Sequence, residues 1–252
     1  MSAICFLFTS AMTPLITREF AVAFGNNDLK QMAYLFRRYI PMLYAIAAYF
    51  ACFIAVQADE VTLILGGGQF KDATLAVTIM AFYPIHQTYG QLSGSVFYAT
   101  GQTSLYRNIG IIGMLMGLPI TFFIIAPASM MGLNAGATGL AIKMVFLQII
   151  FVNVQLYFNA KLLRLSFMNY LLHQILSIGI LLAVAYISTM VVNSILSVTD
   201  IIVIKFILTG IVYTFAVVIA TFLVPQIFGL RRADLSMIRL KISKYINFNR
   251  EK

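Results

Sequence analysis

Five polar side chains stand inside long hydrophobic runs of this chain. His86, Gln87 and Gln91 lie in LAVTIMAFYPIHQTYGQLSGSVFYA, Lys143 in AGATGLAIKMVFLQIIFVNVQLYF, and His173 in the run that begins at Phe167. A lysine brings a fixed positive charge that attracts an anion. A glutamine amide bonds hydroxyls, and an imidazole exchanges a proton. Lys143 is eight or nine residues from the nearer end of its run, which is ~13 Å at the 1.5 Å rise of a helix. A cation at that depth is costly in lipid and is expected to face a polar cavity or a partner. Pairing with a backbone carbonyl, or snorkelling, is the structural alternative. Gln87, Gln91, Gly94 and Tyr98 recur at spacings of three and four, so they share one helix face. That stripe suits either a polar cavity wall or interhelical hydrogen bonding with small-residue packing.

The elements that must hold these residues follow from composition. Of 252 residues, 61% are hydrophobic and only 10% charged, and the mean hydropathy is +0.93. Apolar runs long enough to cross the ~30 Å hydrocarbon core recur along the chain. They lack the two-residue alternation of barrel strands, so helices are expected. The fold class is therefore all-α, a polytopic transmembrane helix bundle of about seven spans: 1–17, 39–58, 75–99, 108–126, 135–158, 167–192 and 201–224. The apolar start lacks the basic flank and cleavage site of a signal peptide and resembles the later part of a span.

Between the first two spans, Arg18 to Arg38 is polar, with a Gly-Asn-Asn turn and an amphipathic piece beginning at Asp28. An interfacial helix capped by Asp28 is expected there, with Pro41 in the first turn of the next span. Glycines 66 to 68 predict a turn. Pro84 predicts a kink inside the third span. Gly110, Gly113 and Gly117 suit close packing of the fourth, while Gly132, Gly136 and Gly139 precede Lys143 on its own face. His173 is less than two turns from the basic end of its run, an interfacial position. Lys205 beside Asp200 suits snorkelling. The tail from Pro225 is basic and amphipathic, suited to anionic lipid.

Lys and Arg are distributed unequally. Loops 18–38, 99–107 and 159–166 together with the tail hold fourteen, and the opposite loops hold only Lys71. By the positive-inside rule the first set, with the C-terminus, is cytoplasmic. The net charge of +9 thus belongs to loops rather than to a nucleic-acid-binding face. Cys5 and Cys52 fall in apolar segments and form neither a disulfide framework nor a metal-ligand pattern. There is no phosphate loop and no nucleophile beside a base, and the eight acids lie at span ends, in loops or in the tail. No enzyme activity, metal or cofactor is implied.

Several local patterns resemble one family. TPLITREFA followed by NNDLKQMAYLFRRYIPMLY is similar to a span ending, a loop and the next span of the polysaccharide flippases. These are the O-antigen-type members of the multidrug/oligosaccharidyl-lipid/polysaccharide exporter superfamily. LILGGGQFKDATLAVTIMAFYPI resembles their glycine-bearing outer loop, and GLNAGATGLAIKMVFLQII their Gly-x-x-Gly-Ala helix entry. YATGQTSLYRNIGIIGMLMGLPITFFII resembles their Ala-x-Gly-Lys turn, with Gln102 where lysine is frequent. The likeness covers residues 1–165, and beyond it only the hydropathy pattern agrees.

The resemblance implies the second lobe of a two-lobe transporter in residues 1–165. Two further spans follow in 166–224, and a basic cytoplasmic tail in 225–252. It implies a bacterial inner-membrane location and an N-terminal lobe that is not in this chain. It also implies passage of an undecaprenyl-pyrophosphate-linked oligosaccharide from the cytoplasmic to the periplasmic leaflet by alternating access. Lys143 would then attract pyrophosphate or an acidic sugar, Gln87 and Gln91 would bond sugar hydroxyls, and His86 and His173 are candidates for proton coupling. A drug or lipid-precursor exporter of the same superfamily, and a non-transporting partner lobe or fragment, are the alternatives. A membrane glycosyltransferase is disfavoured by the short outer loops.

Overall fold

The computed structural model describes the backbone of residues 2–195 and 201–230, with side chains from residue 9. All regular structure among the described residues is helical. Asp200, beside which Lys205 was expected to snorkel, and most of the amphipathic tail, 231–252, lie outside the described residues.

α1 (Ser2–Gly25) and α2 (Leu29–Val56) form an antiparallel pair around a tight turn. The turn places Asn27 at φ +55°, and Asp28 Oδ1 accepts from Gln31 N at 2.8 Å, the expected cap. The interfacial helix expected between Arg18 and Arg38 does not exist as a separate element. Its first half is the end of α1, and its second half is the start of α2. Pro41 therefore sits in the interior of α2. The charges did not mark a boundary because a helix of 28 residues is ~42 Å long and overhangs the ~30 Å core. Arg37 and Arg38 are exposed near the start of α2.

Gln57 interrupts the chain between α2 and α3 (Ala58–Gly66), a short helix where a loop was expected. Gly67, at φ +73°, stops it as the glycine run predicts. A 3₁₀ turn (Gly68–Ala73) leads to α4 (Thr74–Met80) and α5 (Tyr83–Ala99). The third expected span is thus not kinked but broken in two. Proline has no N–H and its ring clashes with the carbonyl four residues back. For Pro84 that residue is Met80, where α4 ends, and Pro84 takes the first turn of α5.

α6 (Thr103–Ile125), α7 (Gly136–Leu162), α8 (Phe167–Ile195) and α9 (Ile202–Leu223) complete the bundle. Five helices, α2 and α6 to α9, are long and apolar enough to cross a membrane. The other two expected spans fall short for visible reasons: α1 joins a short apolar run to Arg18 and Glu19, and α4–α5 is divided by proline. The chain is a membrane-spanning helix bundle.

α5 is its axis, packed on α1, α2 and α7, while α8 lies along α2, α9 on α8 and α6 on α7. Within the apolar window of each helix, 56% of α2 is buried but only 11% of α6 and 17% of α9. These two helices are the most exposed of the five. After α9 a 3₁₀ turn (Pro225–Phe228) folds back into the bundle rather than starting a surface tail, with Ile227 3% exposed. Gly229 completes that turn at φ +63°, and a Cβ there would lie 2.9 Å from Pro41 Cβ.

Lipid is as apolar as a leucine side chain, so close packing and interhelical hydrogen bonds set helix positions. Gly90 permits such an approach: a Cβ on it would sit 3.0 Å from Val152 Cγ2 of α7. Gly90→Leu is expected to wedge α5 from α7 at a cost of roughly 1–3 kcal/mol. The check is a denaturant titration of the detergent-solubilised protein, where an unchanged midpoint would contradict the contact.

Candidate functional site: a broken helix between two clefts

The break at Ala81 and Phe82 opens onto two clefts that share Tyr83. One, of about 460 Å³, runs between α6 and α7 and contains Lys143. The α6 glycines form one wall. A Cβ at Gly113 would lie 3.3 Å from the Phe151 ring, and one at Gly117 would lie 3.6 Å from Lys143 Nζ, while Gly110 has open space. The glycines therefore leave the room in which the Lys143 ammonium sits. No carboxylate lines this cleft among the described residues. Gln148 and Gln155 of α7, Thr121 of α6 and Tyr83 of α5 supply its other polar side chains. The Thr121 hydroxyl donates to Gly117 O at 2.7 Å, whereas Gln155 Oε1 is buried without a donor among the described residues.

The glycines assigned to the Lys143 face behave differently from expectation. Gly132 lies in the connection before α7, where a Cβ would overlap the Ala126 carbonyl, and Gly136, at φ +55°, starts the helix. Only Gly139 packs against a neighbouring helix, 2.8 Å from Ile124 Cγ2 by its built Cβ.

The two glutamines of the expected polar stripe are not in the lysine cleft. Gln87 lines the second cleft, of about 630 Å³, which is enclosed by α2, α3, α4 and the start of α5 and is otherwise mostly apolar. Gln91 and Tyr98 are exposed on the bundle surface, and Gly94 is buried against the Tyr106 hydroxyl. The stripe is thus divided between a cleft, the outer surface and a packing contact. The cleft glutamines that sequence reasoning missed, Gln148 and Gln155, do carry a signal. They are seven residues apart, two turns on one helix face.

Buried polar groups on two sides of α5 tie it to its neighbours. Thr9 Oγ1 donates to Thr88 Oγ1 at 3.2 Å and Thr17 Oγ1 to Ser95 Oγ at 2.9 Å, tying α1 to α5. Asn159 Nδ2 donates to Ser93 O at 2.8 Å and to Ser93 Oγ at 2.6 Å, tying α7 to α5. Gln174 Nε2 donates to Asn153 Oδ1 at 2.9 Å and ties α7 to α8.

The two histidines, remote in sequence, meet here. Both rings lie edge-on to Tyr44, His86 at 6.0 Å and His173 at 5.8 Å between centroids, with Tyr89 at 5.2 Å on the same ring. His86 is 4% exposed. His173 Nε2 is 2.9 Å from Ile227 O, and Ser177 Oγ is 3.2 Å from the same nitrogen. His173 is thus half-buried and hydrogen-bonded to the folded-back 3₁₀ turn, and it lines a cavity beside Arg37, Arg38 and Arg164 near the basic end of its run.

Water access to the lysine cleft is measurable. A thiol reacts as the thiolate, which forms in water and not in lipid. In a background lacking Cys5 and Cys52, Lys143→Cys is expected to react with a charged thiosulfonate at least ~10 times faster than Phe146→Cys, which faces outward on α7. Equal rates would place Lys143 against lipid. No protein-family model, curated protein or solved structure matches this chain.

Proposed function

We propose that this chain is a transport lobe of a polysaccharide flippase. It moves a lipid-linked oligosaccharide, carried on undecaprenyl pyrophosphate, from the cytoplasmic to the periplasmic leaflet of a bacterial inner membrane. The observation that carries the reading is Lys143, a cation within a membrane span, lying in a cleft without a carboxylate among the described residues. A cation kept in such a place is retained for an anionic ligand, and the pyrophosphate of a lipid-linked sugar is one. The broken helix beside it adds support, since discontinuous helices supply backbone dipoles to ligands in alternating-access transporters. Gln148 and Gln155 are better placed than Gln87 and Gln91 to bond sugar hydroxyls beside that charge.

Other features fit the same proposal. Arg37, Arg38 and Arg164 gather at one end of the bundle, in keeping with a cytoplasmic side there and a cytoplasmic C-terminus. α6 and α7 expose much of their surface, which leaves a face for an N-terminal lobe to complete the pathway. The His86–Tyr44–His173 stack is the place to look for proton coupling.

The test uses the native gene in its own cell. Lys143→Ala should lower surface polysaccharide by ~10-fold or more at normal protein level, and Lys143→Arg should restore most of it. Full surface polymer in the alanine variant would sink the proposal. Normal polymer together with hypersensitivity to amphipathic drugs would favour the exporter alternative, to which the mostly apolar second cleft is suited.

A further inference from the structure

Three phenol hydroxyls and two imidazoles converge in the core between α2, α5 and α8. Tyr44 and Tyr89 are fully buried, His86 is 4% exposed and Tyr170 is 6% exposed. The rings of His86, Tyr89 and His173 all meet Tyr44 edge-on, at centroid distances of 6.0, 5.2 and 5.8 Å. The Tyr89 hydroxyl lies within electrostatic reach of the Tyr44 and Tyr170 hydroxyls, so these polar tips gather rather than point apart. Eight buried side-chain atoms lack a hydrogen-bond partner among the described residues, and five of them are here. They are the hydroxyls of Tyr44, Tyr89 and Tyr170 and the Nδ1 atoms of His86 and His173.

A single orphan is ordinary, but five in one cluster need a common partner. A buried hydroxyl or imidazole nitrogen without one has given up its bonds to solvent and gained none in return. Nearby protein groups do not fill the role. Gln174 is beside Tyr89 but outside hydrogen-bonding geometry to it, and its amide is exchanged with that of Asn153 at 2.9 and 3.4 Å. The chemistry of the five atoms identifies what does. A phenol hydroxyl both donates and accepts, and the nitrogen of a neutral imidazole does either. An ion would select donors alone or acceptors alone, whereas water matches both and needs two to four polar neighbours. Rings in edge-on contact admit nothing much larger.

The cluster also has an outlet. Tyr170 and His173 line the cavity of about 440 Å³ at the basic end of the bundle, whose rim includes the exposed Ser166 and Asn169. His86 stands at the other extreme, ~20 Å along α5 from the end of that helix at Ala99. It is two residues past Pro84 and hence next to the break between α4 and α5. Tyr44 joins the two ends, since it touches both histidines.

We propose that a file of bound water runs from the basic-end cavity, past Tyr170, Tyr44 and Tyr89, to His86 beside the broken helix. The file satisfies the buried hydroxyls and gives the His86 imidazole a connection to solvent through the cavity. It holds whether or not the chain moves sugars. Its use as a proton route for His86 is the part that rests on the flippase reading.

The experiment is radiolytic hydroxyl-radical labelling of the purified full-length protein in detergent, read by mass spectrometry. Radicals form from water in place and tag the side chains next to it, so a buried residue is labelled only where water is bound. The reference is Tyr213, which is 1% exposed but whose hydroxyl donates to Tyr49 O at 3.0 Å. Tyr44 and Tyr89 are expected to label at least ~10 times faster than Tyr213. Mixing with oxygen-18 water before the pulse then times the exchange of the bound water. The double variant Ser166→Trp/Asn169→Trp, which plugs the cavity rim, should slow that exchange ~10-fold and leave Tyr213 unchanged. Should this variant fail to fold, Ser166→Cys in a background lacking Cys5 and Cys52, blocked after folding with a bulky maleimide, must slow exchange in the same way. Labelling of Tyr44 and Tyr89 no faster than that of Tyr213 overturns the proposal. So does exchange that stays at its wild-type rate when the rim is plugged.

Discussion

Hydrocarbon contains no water, so a polar group that enters it must find its partner on another helix. α5 meets that requirement with Thr88, Ser93 and Ser95, each bonded across a helix interface. Apolar surface alone would not order these helices, because lipid chains solvate it as well as leucines do. The bonds from Thr9, Thr17 and Asn159 therefore fix the registers of α1 and α7 on α5, and the close approach at Gly90 fixes a distance. The remaining helices are then placed by contact with this set: α8 on α2, α9 on α8, α6 on α7.

Pro84 acts within that frame. By ending α4 at Met80 it removes an N–H donor from the ladder, which a membrane protein tolerates where protein or a cavity surrounds the break. The break is bordered by both clefts, and Tyr83 belongs to each. An anion near Lys143 and an apolar group near Gln87 would thus be separated by a single side chain. That is a useful proximity for a molecule with a charged head and a long hydrocarbon tail.

Much of the bundle was legible in the residues themselves. The apolar runs, the Asp28 cap, the glycine stop at 66–68 and the interruption at Pro84 are local signals, and each left a mark where it was expected. Boundaries drawn from charge were less dependable. Arg37 and Arg38 suggested a separate surface helix, yet they lie inside the long helix α2. What local pattern could not supply was helix rotation, which depends on partners distant in sequence. Gln87 and Gln91 therefore looked like members of one wall and proved to face different surroundings. Gln148 and Gln155 were overlooked beside the more conspicuous glycines. The meeting of His86 and His173 on Tyr44 follows from the way α5 and α8 both pack on α2, and no spacing within either helix announces it.

The buried polar groups of α5 also constrain how the chain enters the membrane. At 17 residues, rich in hydroxyl and amide side chains, α5 partitions into lipid poorly as a lone segment. Its partner Asn159 is synthesised 66 residues after Ser93, a delay on the order of several seconds at ~5–20 residues per second. During that interval α5 has only α1 and α2 to satisfy it. Stable insertion of α5 must therefore wait for α7, so the middle of this protein is assembled as a late, cooperative unit instead of one span at a time.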